Sequence, residues 1–293
     1  MPRVNLTFDL RSAWCVLRGT PRDLVTIQHT LDAWAAQQRP EQSSSTGDPV
    51  CFLKDGDLWV LAGAFLAALP DIGSATVNTL EGHLRETVAE CAYRLEKVGL
   101  LRDYQARAVE SAWLAPCFRS ILDLAPGAGK TRIMLGVMAV GAKLSRVHPE
   151  YVGCTRTLQL VHSPSIMEQT EKEIGILLPT MLDALEAGPA HGCKQLTILC
   201  TTYTRLFNDA GARLRVRDYD LLLVDECHRV GGRQAVELLL ESRALLRCGL
   251  SGTPLGRMDT RNPFVIGLLG PVLERVDASE LISNGHLAEG LIN

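Results

Sequence analysis

The chain has 293 residues, 46% of them hydrophobic, and a formal charge of −3 at pH 7. That length holds one large domain or two ordinary ones around an ample core, and no apolar run reaches the ~18 uninterrupted residues of a membrane-spanning helix. Basic and acidic residues number 9 and 12 before position 100 and 21 and 21 from there on, so bulk charge gives no support for nucleic-acid binding, and such a role must rest on local motifs.

The opening residues, MPRVNLTFDLRSAW, carry no charged segment followed by an apolar one and do not read as a signal peptide. Two strand-like runs, 4–10 and 13–18, come first. Thr20-Pro21-Arg22-Asp23 then reads as a helix start, with Thr as N-cap, Pro at the first helical position and an acid in the first turn. Leu24, Ile27, Leu31 and Trp34 follow at helical spacing. Residues 37–48, QQRPEQSSSTGD, are polar and read as a loop. A hairpin-like pair, 50–53 and 58–61, folds about Lys54-Asp55-Gly56-Asp57, and a short apolar helix ends near Pro70. Residues 1–80 therefore predict a small α+β domain, and 81–99 a connecting amphipathic helix with Leu84, Val88, Cys91 and Leu95 on one face.

From residue 100 the rhythm changes. Strand-like runs near 119–124, 156–162, 195–200, 220–225 and 246–250 alternate with helical patterns, which predicts an α/β domain over 100–293 with a parallel sheet covered on both faces. The nine cysteines are an odd number, contain no CxxC pair and sit mostly in apolar segments such as ILC and RCGL. They read as reduced, buried thiols of a cytoplasmic protein rather than disulfides or zinc ligands.

Within this domain residues 124–132 read LAPGAGKTR, between an apolar strand and an apolar helix. Glycine lets the backbone approach a phosphate without a Cβ, so N–H groups from Gly127 to Thr131 can wrap one, and the helix N-terminus adds its dipole. Lys130 would reach the β- and γ-phosphates of a nucleotide, and the Thr131 hydroxyl would ligate Mg²⁺. The pattern GxxxxGK[ST] asks for glycine at 124, where this chain has Leu124. A second signal lies 225 − 130 = 95 residues on from Lys130, where DLLLVDECH runs a buried strand into Asp225-Glu226. An acid at the carboxyl end of such a strand can hold the Mg²⁺ water shell, and the adjacent Glu can orient or deprotonate an attacking water. Alone, the pair would read as a strand ending in a solvated acidic turn; together with the glycine loop it reads as a phosphate site.

Lys130-Thr131 with DECH at 225–228 resembles superfamily 2 helicases and translocases of the DExH type, and further motifs fall in the same order. LRDYQ at 101–105 is similar to their entry motif, which implies that Gln105 reads the adenine edge beside Arg102. The same resemblance implies an ATP site made of Arg102, Gln105, Pro126, Gly127, Ala128, Gly129, Lys130, Thr131 and Arg132. LQLVHSPSIMEQ at 158–169 occupies the place of a strand and loop that touch the nucleic-acid backbone, implying contacts from Ser163 and Pro164. It lacks an Arg that many relatives carry. ILCTTYT at 198–204 adds Thr201 and Thr202 to that surface. LSGTP at 250–254 resembles the motif in which Ser251 and Thr253 couple phosphate state to the bound strand, with His228 between the ATP site and a second lobe; on its own His228 would read as a structural histidine. The resemblance implies a RecA-like fold for 100–293, ATP and Mg²⁺ as ligands, and DNA, or alternatively RNA, as partner.

Residues 1–80 and the closing SELISNGHL are similar to the phage UvsW-like DNA helicases, implying action on branched DNA. Such motors use two RecA-like lobes, and after Pro254 only 39 residues follow, against the ~100–150 of a domain. The resemblance therefore implies that a second lobe, in the same or a separate chain, completes the ATP site. Arginines of that lobe contribute on the order of 10³–10⁵ in rate, so the expectation is weak turnover by this chain alone. A restriction-type translocase subunit and a non-catalytic half-motor are the alternatives.

Overall fold

The computed structural model describes residues 4–8, 12–38, 50–55, 57–72, 82–148, 155–188, 196–255 and 261–287; most of the polar 37–48 stretch lies outside them. The N-terminal part is β1 (Val4–Phe8), β2 (Trp14–Gly19), α1 (Pro21–Gln37), β3 (Cys51–Lys54), β4 (Asp57–Leu61) and α2 (Ala62–Ile72). Its four strands form an antiparallel sheet in the order β1-β2-β4-β3. α1 starts where its cap predicts, with the Thr20 hydroxyl accepting from the Asp23 N–H at 3.2 Å. Leu24, Ile27 and Leu31 of α1 meet Cys15, Leu17, Leu58 and Val60 on the inner face of the sheet.

The larger part follows with α3 (Gly82–Lys97), α4 (Asp103–Leu114), β5 (Arg119–Leu124), α5 (Lys130–Val147), β6 (Arg156–Val161), α6 (Pro164–Ala184) and β7 (Thr197–Thr202). It continues through α7 (Tyr203–Asn208), α8 (Ala210–Leu214), β8 (Leu221–Asp225), α9 (Arg233–Glu241), β9 (Leu246–Ser251), α10 (Asn262–Leu269), β10 (Val272–Val276) and α11 (Ala278–Ser283). Six strands pair in parallel in the order β10-β5-β9-β8-β6-β7. β8 shows why a run such as LLLV makes a central strand. Leu221 and Leu223 point into the core under α3, α4, α5 and α6, while Leu222 and Val224 point into the other core, under α9 and α10. That second core also contains the inner residues of the small sheet, so both parts share it. No helix among the described residues is long and apolar enough to cross a membrane.

Close backbone contact joins the two parts. A Cβ on Gly63 of α2 would lie 2.0 Å from the Ile266 carbonyl oxygen of α10, and one on Gly267 would lie 2.7 Å from Leu61. Arg119 and Arg247, paired in register on β5 and β9, are both fully buried. Arg247 donates to the carbonyls of Ser242 (2.7 Å) and Leu239 (3.0 Å), and Arg119 donates to that of Ser12, tying the lead-in of β2 to the large sheet. Burial, reinforced by the Arg119 charge, pushes Arg247 well below the ordinary guanidinium range.

Candidate nucleotide site

β5 ends at Leu124, and the chain turns through 125–129 before α5 begins at Lys130. Gly127 and Gly129 have φ of +85° and +75°, a region that penalises side chains. A Cβ on Gly127 would come within 2.5 Å of Leu287, and one on Gly129 within 2.5 Å of Gln105 Nε2. Leu124, where the phosphate-loop pattern asks for glycine, is the buried last residue of the strand, so the turn itself keeps both glycines it needs. The first N–H groups of α5 have no intrahelical acceptor, and an 18-residue helix points its positive end at the turn.

The opposite wall comes from β8 and β9. Lys130 Nζ lies 2.6 Å from Glu226 Oε1. Ser251 Oγ donates to Glu226 Oε2 at 3.2 Å, accepts from the Thr253 N–H at 3.1 Å and meets His228 Nδ1 at 2.9 Å. Glu226 sits in the left-handed region at φ +48°, a strained conformation of the kind that collects at working sites. Burial raises Glu226, but the hydrogen bond and charge of Lys130, with the Ser251 bond, outweigh it and leave the carboxyl below its usual range. Asp225 goes the other way: burial raises it, the Lys130 charge offsets part of the rise, and the neighbouring Glu226 adds to it. Its Oδ1 is buried without a hydrogen-bond partner.

Gln105 is a strut. Its Nε2 donates to the Ala128 carbonyl of the turn at 2.9 Å, and its Oε1 accepts from the Arg102 N–H, the N-cap of its own helix, at 3.0 Å, so the side chain ties the start of α4 to the phosphate turn. Arg102 is exposed and reaches the Tyr104 hydroxyl at 3.2 Å, which in turn donates to the Ala128 carbonyl. Pro126 and Arg132 are exposed at the mouth, and Thr131 is half-buried in the first turn of α5. Ser163 caps α6, its hydroxyl accepting from the Ile166 N–H, and Pro164 is exposed beside it. Thr201 is buried in β7, and the Thr202 hydroxyl caps α7 through the Arg205 N–H, so neither offers its side chain to solvent.

Two other polar groups here carry no motif signal. His162 Nδ1 and the Tyr203 hydroxyl, just past the ends of β6 and β7, are buried without partners, as is Asp225 Oδ1 at the end of β8. These strands are neighbours in the order β8-β6-β7. Burial, with the Asp225 charge nearby, raises the Tyr203 hydroxyl well above its ordinary value. The available signal was position alone, since ligands of open α/β sheets gather at the carboxyl ends of the strands.

A strand, glycine turn and helix facing an acidic strand end define this part as a P-loop lobe of the RecA-like class. The chain belongs to the helicase-type family described as type III restriction enzyme, res subunit, whose model matches residues 99–256. It is 25% identical over 192 residues to "Putative helicase 22" of a Sulfolobus islandicus filamentous virus, covering 64% of this chain and 34% of that protein. It is 28% identical over 183 residues to the DNA 3'-5' translocase XPB2 of Sulfurisphaera tokodaii, covering 62% and 37%. The chain thus spans about a third of the length of the curated relatives it matches. In fold it is similar to the UvsW helicase from bacteriophage T4, with a TM-score of 0.57 at 14% identity over 93% of this chain and 99% of that one.

Proposed function

We propose that the chain is the ATP-binding part of a DNA helicase or translocase that acts on branched or duplex DNA. In this reading residues 1–80 are an accessory domain, 81–99 a helical linker and 100–293 the first RecA-like lobe, completed by a second lobe in the same or another chain. One observation carries it: Lys130 and Glu226 face each other at 2.6 Å across a glycine turn, beside an unpartnered Asp225 oxygen. Asp225 and Thr131 would hold Mg²⁺, which neutralises charge between phosphates. A phosphate beside Lys130 would draw its ammonium away from Glu226. That shift releases the Glu226 carboxylate to take the proton of an attacking water, so phosphate binding and base activation become one exchange. Ser251, bonded to Glu226, carries that change to Thr253 and His228.

The test is calorimetric titration of the chain with Mg-ATP. We expect a Kd between micromolar and millimolar, roughly −8 to −4 kcal/mol, and loss of binding in Lys130→Ala with the fold retained. Unchanged binding in the variant would remove the assignment. The family description favours a second reading, a restriction-type translocase subunit. Duplex-stimulated ATP turnover without strand separation, measured with the second lobe present, would select it.

A further inference from the structure

The closing stretch SELISNGHL ends on the rim of the nucleotide site. Arg107 of α4 anchors α11 there, meeting Glu280 at 2.9 Å and Glu274 of β10 at 3.6 Å. Leu281 of α11 is fully buried in the core shared with α4 and α5. Gly285, at φ +68°, then closes the helix in the left-handed region, its N–H bonded to the Ile282 carbonyl at 3.0 Å. The N–H groups of His286 and Leu287 both donate to the Leu281 carbonyl, at 2.7 and 3.0 Å. That cap fixes where the next two side chains go. His286 sets its ring against Tyr104, with centroids 5.4 Å apart and planes inclined by 50°. The Tyr104 hydroxyl donates to the Ala128 carbonyl of the phosphate turn, and Asp103 faces His286 Nε2 at 3.9 Å. Leu287 lies over Gly127 of the same turn, which therefore needs glycine twice, for its φ and for this contact. Both His286 and Leu287 are half-buried.

We propose that His286 and Leu287 form the nucleoside wall of the site, a ring and an apolar edge for the base and sugar of the nucleotide whose phosphates the turn receives. The proposal rests on the nucleotide reading of the previous section and adds the end of the site that the phosphate loop does not supply. The turn N–H groups, the dipole of α5 and Lys130 all address charge, and none of them tells a nucleotide from a bare triphosphate. A nucleoside has to continue from the phosphates past the rim of the turn, and on that rim Gly127 and, through Tyr104, Ala128 carry these two side chains. Their chemistry suits the task. A half-exposed imidazole offers a flat face to a base, an interaction that tolerates any base, and Leu287 offers apolar surface to cover.

The experiment titrates the whole chain by calorimetry with Mg-ATP and, separately, with Mg-tripolyphosphate, which carries the phosphates but no nucleoside. The parent should bind ATP more tightly than tripolyphosphate. His286→Ala should weaken Mg-ATP about fivefold or more and leave Mg-tripolyphosphate where it was, and Leu287→Ala should act in the same direction. His286→Phe, which keeps a ring but not the approach to Asp103, should bind ATP nearly as the parent does. If the parent binds both ligands equally, or both alanine variants keep its preference, the wall is overturned while the phosphate site stands. If the alanine variants lose both ligands in the same proportion, the closing turn only braces the loop and the proposal is wrong. If Leu287→Ala tightens tripolyphosphate, the turn is a plug over the loop, and the proposal is equally wrong. If the parent binds neither ligand, the nucleotide reading falls with it.

Discussion

Asp225 and Glu226 are adjacent in sequence but stand in opposite surroundings. Asp225 is buried with an unpartnered oxygen, and Glu226 is held by Lys130 and Ser251. The split predicts different failures. Glu226→Gln removes the carboxylate that competes for Lys130, so Mg-ATP should bind as tightly as before or more so, while any phosphate release falls. Asp225→Asn should weaken binding mainly by reducing its dependence on Mg²⁺. Equal loss of binding in both, followed by calorimetry with and without the metal, would mean that the pair is structural. At this scale the sequence was informative where a residue belongs to a spaced pattern, as do Gly127, Gly129, Lys130, Asp225 and Ser251. It was silent on the bracing role of Gln105 and on His162 and Tyr203, because hydrogen-bond partners are set by strands that meet only in the folded sheet.

Elements were legible wherever burial dictates their pattern. The five apolar strands of the large sheet fall within a few residues of their expected places, and so do α1 and the β3–β4 pair. β10 escaped, for a physical reason: it is an edge strand, VLERV, whose Glu274 and Arg275 interrupt the apolar run. Arg275 finds its partner Asp123 at 2.9 Å on β5, a residue 152 positions away. The contact of α2 with α10 was equally hidden, since glycine in an apolar helix signals nothing about which backbone will approach it. Gly63→Ala should therefore be costly. Its methyl would meet the Ile266 carbonyl at 2.0 Å, a clash no rotamer relieves, and we expect a loss of about 1–3 kcal/mol. Gly82→Ala, which meets no atom within 4 Å, is the control. Equal urea midpoints for the two variants would refute the close-packed joint.

For the whole molecule, the cysteines offer a measure of integrity. All seven among the described residues are free and buried, and burial pushes the thiols of Cys15, Cys51, Cys91, Cys200 and Cys248 up to about 12. A thiol reagent acts on thiolate, so at pH 8 these seven should stay silent in the native protein and react together on unfolding. With nine in the sequence, at most two should react promptly. Three or more fast thiols, counted by absorbance with Ellman's reagent, would contradict the packing.

The glycine joint between α2 and α10 has a mechanical consequence. A motor's accessory part can trail on a tether or be bolted to the engine block. Here backbone meets backbone, a shared core runs beneath the contact, and Arg119 pins the lead-in of β2 from the side of β5. Among the described residues the joint is backbone and packed side chain throughout. Any rotation of the large sheet about this joint would therefore turn the small sheet with it, as one rigid piece.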